Sequence, residues 1–295
     1  TFAPLWVLFE WSKTWVFTGF PWLFAGYAFT ERYLDAYAPL FGVFGVSFVV
    51  IILACALVEI LNRRLFWAVP AAILLFSAWG AAQLSFVQPK NEKPLTVSLI
   101  QGNIPQDLKW LTEYQVKTLL IYANLSKTEW GRDLIVWPES SIPMFQTDIE
   151  AFLEAMKVQA EKSGTAWMTG IPYWDLPESQ AAGYPKYYNS IMATGDESEG
   201  LYKKQRLVPF GEYIPLGAML ARWGIHGVAA YEAGSYSPGP GPAPMEIPGI
   251  GTALPLICYE GIFAEEIPRA PDARLMLLIT NDAWFGNFAG PYQHF

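Results

Sequence analysis

From Pro39 to Val58 the chain reads PLFGVFGVSFVVIILACALV, without a single charged residue. At about 1.5 Å of rise per residue, a helix of that length matches the roughly 30 Å hydrocarbon core of a bilayer. A second apolar run, Leu65 to Val87, follows after Glu59 and the pair Arg63 and Arg64. Core helices of soluble proteins keep a polar face, and neither run has one. Both are therefore expected to be transmembrane helices. The successive apolar segments, with no small-residue cleavage site, argue against a removable signal peptide. The first thirty residues are apolar too, interrupted by Glu10 and Lys13. They predict one more membrane segment with a polar face, ended by Pro21. Because Lys and Arg favour cytoplasmic loops, Arg63 and Arg64 put the loop between the two clear spans inside, and the polar remainder outside the cytoplasmic membrane.

This divides the chain into a transmembrane helical region, residues 1–88, and a polar domain, residues 89–295, joined by the charged, proline-bearing QPKNEKP at 88–94. A formal net charge of −8 leaves no basic stripe for nucleic acid and no polybasic patch for anionic lipid, so nucleic-acid binding is excluded. Of the two cysteines, Cys55 lies in a membrane run and Cys258 in the polar domain, an arrangement unsuited to a disulfide. Without CxxC or Cys/His spacing, neither a metal nor a cofactor is predicted. A lone thiol outside the membrane is a chemical liability, which favours a reactive role for Cys258.

Within the polar domain strands and helices alternate, predicting an α/β layered fold. Strands are expected at 95–101, 133–137, 166–171, 187–193, 253–259 and 275–280, several apolar throughout, as in sheets covered on both faces. A helix is expected over Asp107 to Trp130, with Val116, Leu119, Leu120 and Ala123 on its buried face. Another follows, burying Ile149, Phe152, Leu153, Met156 and Ala160. Between Gly211 and Pro248 the pattern gives way to a Gly-, Pro- and aromatic-rich stretch containing Trp223, suited to a lid or binding loop, or to ordinary loop packing.

Three separated segments carry candidate chemistry: WPESS at 137–141, LYKKQRLVPFGEY at 201–213 and LICYEG at 256–261. Singly, Cys258 could be an inert core thiol, Glu139 a helix cap, and Lys204 part of a solvated run with Lys203 and Arg206. Together they fit nucleophilic acyl transfer: a thiol needs a base, and its tetrahedral adduct needs a partner for the oxyanion. His226 sits in the irregular stretch and His294 at the end, so a carboxylate must act as base. Ordinary pKa values of about 4.3 for Glu and 8.5 for Cys leave a gap of roughly four units. Burying the glutamate and setting a lysine beside the thiol would narrow it from both sides.

These segments resemble the Glu-Lys-Cys triad of the nitrilase superfamily. The membrane prefix together with QGNIPQDLKW, LVPFGEYIPL and TNDAWFG resembles the apolipoprotein N-acyltransferase family within it. The resemblance implies a nitrilase-like α-β-β-α sandwich, incomplete here, preceded by transmembrane helices. It implies Glu139 as general base, Lys204 as the oxyanion cation with Lys203 as its rival, and Cys258 as the acylated nucleophile. Glu212 matches a second, supporting glutamate, and Tyr259, Glu260, Trp110 and Asn189 match further positions of importance. Each of these five could equally serve by packing or loop capping. The implied partners are a phospholipid acyl donor, a diacylglyceryl apolipoprotein acceptor and the bilayer itself. The implied location is the bacterial cytoplasmic membrane, multi-pass, with the catalytic domain on its periplasmic side. Against the family pattern, a start within the membrane part and a stop at GPYQHF read as a fragment.

Overall fold

The computed structural model describes residues 2–84, 94–195, 199–216, 235–269, 272–286 and 288–294. Trp223, His226 and the joint at 88–93 lie outside the described residues. The chain divides into two compact units, Thr1–Lys93 and Pro94–Phe295.

In the first unit, α1 (Phe2–Ser12) is followed by short 3₁₀ turns, then α2 (Ala38–Leu61) and α3 (Ala68–Ala82). The segments Tyr33–Leu61 and Leu65–Ala82 are long and apolar enough to cross a membrane. Their outward side chains, among them Leu57, Leu61, Ile73 and Phe76, are apolar and exposed, the inverse of a water-facing helix. Two tyrosines hold the pair: the Tyr37 hydroxyl donates to the Leu74 carbonyl at 2.6 Å, and that of Tyr33 to the Leu75 carbonyl at 2.7 Å. The N-terminal expectation needs correcting, because α1 stops at Ser12, well before Pro21. Glu10 and Lys13 turn the chain instead. The Glu10 carboxylate accepts from the Ala25 amide at 2.7 Å, and the Lys13 ammonium donates to the Trp22 carbonyl at 2.6 Å.

The second unit is a two-sheet sandwich. Five strands, β1 (Val97–Leu99), β2 (Leu134–Val136), β3 (Ala166–Trp174), β4 (Tyr187–Thr194) and β5 (Glu199–Lys203), pair in sequence order. β1, β2 and β3 are parallel, while β4 and β5 join antiparallel. The second sheet contains β6 (Met245–Ile247), β7 (Gly251–Ile257) and β8 (Leu275–Ile279), with β7 and β8 parallel.

Alternation along the strands builds two cores. Leu134, Val136, Met168, Ile191 and Tyr202 face Ile247, Ala253, Ile257 and Ile279 of the second sheet. Their neighbours Ile135, Trp137, Trp167 and Ile171 point the other way, onto α5 (Thr112–Ser126) and α6 (Glu150–Ser163). This is the nitrilase-like α/β layering.

The α6 face is seated as its period predicts, with Met156 and Ala160 buried. The helix expected from Asp107 to Trp130 breaks into α4 (Gln106–Lys109) and α5, because Leu111 is extended (φ −72°, ψ 128°). Its buried face is also rotated. Val116 and Leu120 are 60% and 55% exposed, while Thr118, Leu119, Tyr122 and Ser126 are buried. Ser126 explains the choice: its hydroxyl donates to the Tyr122 carbonyl and accepts from the Trp137 indole at 2.8 Å, so polar side chains are satisfied inside. Strands β5 and β6 and the helix α7 (Leu176–Ala182) were not predicted from the sequence.

Candidate active site

The residues that matter gather at one end of the sandwich, beyond the carboxyl ends of β2, β5, β7 and β8 and at the start of β4. Ligands favour such an end in open α/β sheets, where chain reversals leave a crevice.

Glu139 follows β2 through the turn Trp137-Pro138, and the next residue, Ser140, is held in the left-handed region at φ 47°. The turn packs so tightly on β3 that a Cβ on Gly170 would lie 2.6 Å from the Pro138 carbonyl oxygen and 2.7 Å from the Glu139 Cα. Only glycine fits there. The buried Glu139 carboxylate has a partner on each oxygen. Oε1 accepts from Asn189 Nδ2 at 2.9 Å, and Oε2 accepts from the Asn281 amide at 3.0 Å.

Lys204 directly follows β5 and is 1% exposed. Its amide donates to the Asn189 carbonyl, and its Nζ lies 3.6 Å from Glu139 Oε1. The same nitrogen is 3.0 Å from Oε1 and 2.9 Å from Oε2 of Glu212. Burial works against the charged ammonium, but Glu212, Glu139 and the Cys258 sulfur outweigh it, so Lys204 stays protonated well above the ordinary lysine range. Glu212 is fixed in turn by the Val208 amide at 2.8 Å and by Asn189 Nδ2 at 2.8 Å. One amide of Asn189 thus bridges both carboxylates. Gly239 seals the segment: its amide donates to the Lys204 carbonyl, and a Cβ there would sit 2.2 Å from the Lys203 carbonyl oxygen.

Cys258 begins the turn after β7 with φ 49°, a costly conformation for a residue with a Cβ, of the kind that gathers at functional sites. Burial, followed by the Glu139 carboxylate, pushes the thiol up to about 12; Lys204 and a hydrogen bond with Thr280 pull it down without prevailing. Lys204 thus acts on the thiol in the expected direction, but the expected narrowing of the gap from the thiol side does not follow, because burial and Glu139 outweigh it. A thiolate beside the Glu139 carboxylate would place like charges together in a buried space, which is why the thiol holds its proton.

Glu260 is buried, and its Oε1 accepts from the Tyr202 hydroxyl at 2.9 Å, the Gln205 amide at 2.7 Å and the Arg206 amide at 3.2 Å. Its Oε2 accepts from the Ile257 amide at 2.8 Å. It thereby ties the Cys258 turn to the segment just after Lys204. Burial holds its pKa above the usual carboxylate range against the pull of those amides. Tyr259 packs edge-on against Phe263, 5.2 Å between ring centres. Trp110 caps α4, and its side chain is 42% exposed, outside this hydrogen-bonded cluster. Lys203 points to the opposite face of β5, onto Asp175 and Glu178.

Sequence reasoning missed Lys109, Asn281 and Tyr236. Lys109 is buried and donates to the Glu139 backbone carbonyl at 3.1 Å. Burial drags its pKa down to about 8 despite the attraction of Glu139. Tyr236 donates its amide to the Glu212 carbonyl, and its phenol is raised by burial and by Glu212 and Glu139. QGNIPQDLKW and TNDAWFG were visible as segments, but nothing in them indicated which side chain turns inward. Among the described residues no cluster suited to a metal ion is present.

The chain belongs to the carbon-nitrogen hydrolase family. The carbon-nitrogen hydrolase profile matches residues 96–295, and that of the apolipoprotein N-acyltransferase N-terminal domain matches residues 1–56. Among curated relatives, the apolipoprotein N-acyltransferase of Methylococcus capsulatus is 34% identical over 99% of this chain and 57% of its own length. That of Azotobacter vinelandii is 38% identical, over 99% of this chain and 57% of its own. The chain thus spans somewhat over half the length of these relatives. A carbon-nitrogen hydrolase from Helicobacter pylori is a solved neighbour, with a TM-score of 0.41 and 17% identity over 63% of this chain and 59% of that one.

Proposed function

We propose that this chain carries the catalytic part of an apolipoprotein N-acyltransferase, moving a fatty acyl chain from a phospholipid to the N-terminal amine of a diacylglyceryl-cysteine lipoprotein. The observation that carries the chemistry is the buried Glu139–Lys204–Glu212 cluster acting on Cys258. The choice of substrates is supported by the match of residues 1–56 and by the named relatives.

In the first half-reaction the Cys258 proton passes to Glu139 as the sulfur attacks the ester carbonyl carbon of the phospholipid. Moving proton and nucleophile together avoids a free thiolate next to a carboxylate, so the raised thiol pKa is not a barrier in itself. The oxyanion of the tetrahedral adduct faces the Lys204 ammonium, which Glu212 keeps charged and in place. Collapse breaks the ester C–O bond, protonated Glu139 returns the proton to the leaving alkoxide, and a thioester remains on Cys258. In the second half, the acceptor amine gives a proton to Glu139 and attacks the thioester carbonyl. The C–S bond breaks, and the sulfur recovers the proton. Asn189 and Glu260 act by holding the reacting groups; Tyr259 and Trp110 are assigned supporting or substrate-contacting roles. The unit lies on the periplasmic side of a multi-pass assembly in the bacterial cytoplasmic membrane, as the Arg63–Arg64 loop suggests.

The competing reading, a membrane-tethered amidase, uses the same residues with water as acceptor. Incubation of the protein with labelled phospholipid vesicles and a diacylglyceryl lipopeptide separates the two. Label on the peptide amine is expected. Release of free fatty acid alone would assign a hydrolase, and no hydroxylamine-sensitive adduct on Cys258 would leave a catalytically inactive membrane scaffold.

A further inference from the structure

Lys109 has no task in the scheme above, yet an ammonium is rarely buried without one. Its Nζ donates to the Glu139 carbonyl oxygen at 3.1 Å, and Glu139 is the carboxylate that acts on it. The same short helix holds the other end of Glu139: Gln106 Oε1 accepts from Asn281 Nδ2 at 2.8 Å, while the Asn281 amide donates to Glu139 Oε2. Charge gives the second argument. Glu139 and Glu212 share Lys204 as their partner in ion pairs, two carboxylates against one ammonium. Lys109 brings a second buried ammonium within electrostatic reach of Glu139.

We propose that Lys109 is a positioning residue whose buried ammonium offsets negative charge at the site and holds Glu139 aimed to receive the Cys258 proton. This rests on reading Glu139 as the base and Cys258 as the nucleophile. The groups facing Glu139 are Lys204 after β5, Glu212 in the loop beyond it, Cys258 after β7, Tyr236, Lys109 on α4, and the uncharged Asn189 and Asn281. Of these, Lys109 discharges as pH rises through about 8, whereas Lys204 keeps its proton.

The test uses the whole chain in detergent or bilayer. Uncharged iodoacetamide is applied from about pH 5 to about pH 10, and alkylation is read by mass spectrometry on the Cys258 peptide, with acyl transfer from phospholipid vesicles measured in parallel. Lys109→Gln retains a donor for the Glu139 carbonyl and removes the charge. Its acid limb is expected to move up by about one pH unit, a loss of about tenfold on that limb. Lys109→Arg keeps the charge, so its acid limb should stay where that of the unaltered protein lies, and a limb that moves despite the retained charge overturns the proposal. A Lys109→Gln profile identical to that of the unaltered protein, or lowered by one factor at every pH, overturns the proposal. If that variant melts, the Lys109→Arg profile decides alone. A shifted limb with no acyl transfer would sink the acyltransferase reading and leave the positioning role standing. Acyl transfer with an unshifted limb would do the reverse.

Discussion

Two neighbouring lysines end in different worlds. Lys203 leaves the outer face of the five-stranded sheet for Asp175 Oδ2 and Glu178 Oε1, each at 2.7 Å, and lies 4.4 Å above the Tyr188 ring. Lys204, one residue on, enters the space between the sheets and meets Glu139, Glu212 and the influence of Cys258. Both clusters are ion pairs with hydrogen-bonded neighbours, so pairing alone does not mark a site. The Lys203 cluster is closed, each charge answered by a fixed partner. The Lys204 cluster includes a group that can give up a proton, Cys258, at a strained turn. Chemistry needs that unspent capacity, and structural ion pairs lack it.

The largest separation of the two clusters should come from Cys258→Ala. It removes the sulfur proposed to carry the acyl group, so acyl signal on the peptide holding residue 258 should fall below detection in mass spectra after exposure to phospholipid, with the melting curve barely moved. Glu139→Gln comes next. It keeps the size of the side chain and one acceptor for the two neighbouring N–H donors while removing the proposed proton acceptor, so adduct formation should slow by about 10³-fold or more, measured in single-turnover kinetics. A variant that acylates at the normal rate would remove Glu139 from its role.

Why some of this was legible and some not follows from how each residue reaches the site. Glu139 and Cys258 each lie just beyond an apolar strand, so the chain announces where they emerge. Lys204 was readable only with help, because a strand with a lysine on each face, as β5 has at its end, looks like a solvated charge run. Both ammoniums are in fact turned to carboxylates from distant segments, Lys203 to Glu178 and Lys204 to Glu139. Lys109 and Asn281 gain their meaning only from tertiary convergence on Glu139, across thirty and more than a hundred residues of chain. In α5, buried Thr118 and Ser126 displaced Val116 and Leu120 from the inner face, a trade that hydrophobic period cannot foresee because it depends on the Trp137 indole finding its acceptor.

Gly170→Ala probes the frame rather than the reacting groups. The added methyl would press on Pro138 and Glu139 at 2.6–2.7 Å, distances that backbone must relieve by moving. A shift of about 1 Å in a general base costs on the order of 10²-fold, so adduct formation should fall by about that factor. The same change at an exposed glycine such as Gly183 would leave the rate unaltered. Equal rates for Gly170→Ala and the unaltered protein would mean the Glu139 turn is softer than its packing implies.

Lys203→Met closes the comparison with the smallest expected effect. Removing this half-buried ammonium leaves Asp175 and Glu178 without their cation, and both carboxyls now sit below their ordinary range, Asp175 despite burial and Glu178 chiefly through its hydrogen bond with Lys203. A group held low stabilises the fold above its unfolded pKa, and that contribution disappears as pH falls through its folded value. The cost should therefore be seen at neutral pH, about 1–2 kcal/mol in denaturant melts, since these pairs are partly open to solvent, and it should shrink as pH drops below about 4. Acylation of Cys258 should change by less than about threefold, because the Lys204 amide and its ion pairs depend on Asn189, Glu212 and Gly239 rather than on the opposite face of β5. If Lys203→Met instead slows acylation as much as Glu139→Gln does, the two clusters form one network through the strand, and the distinction drawn between the two lysines is wrong.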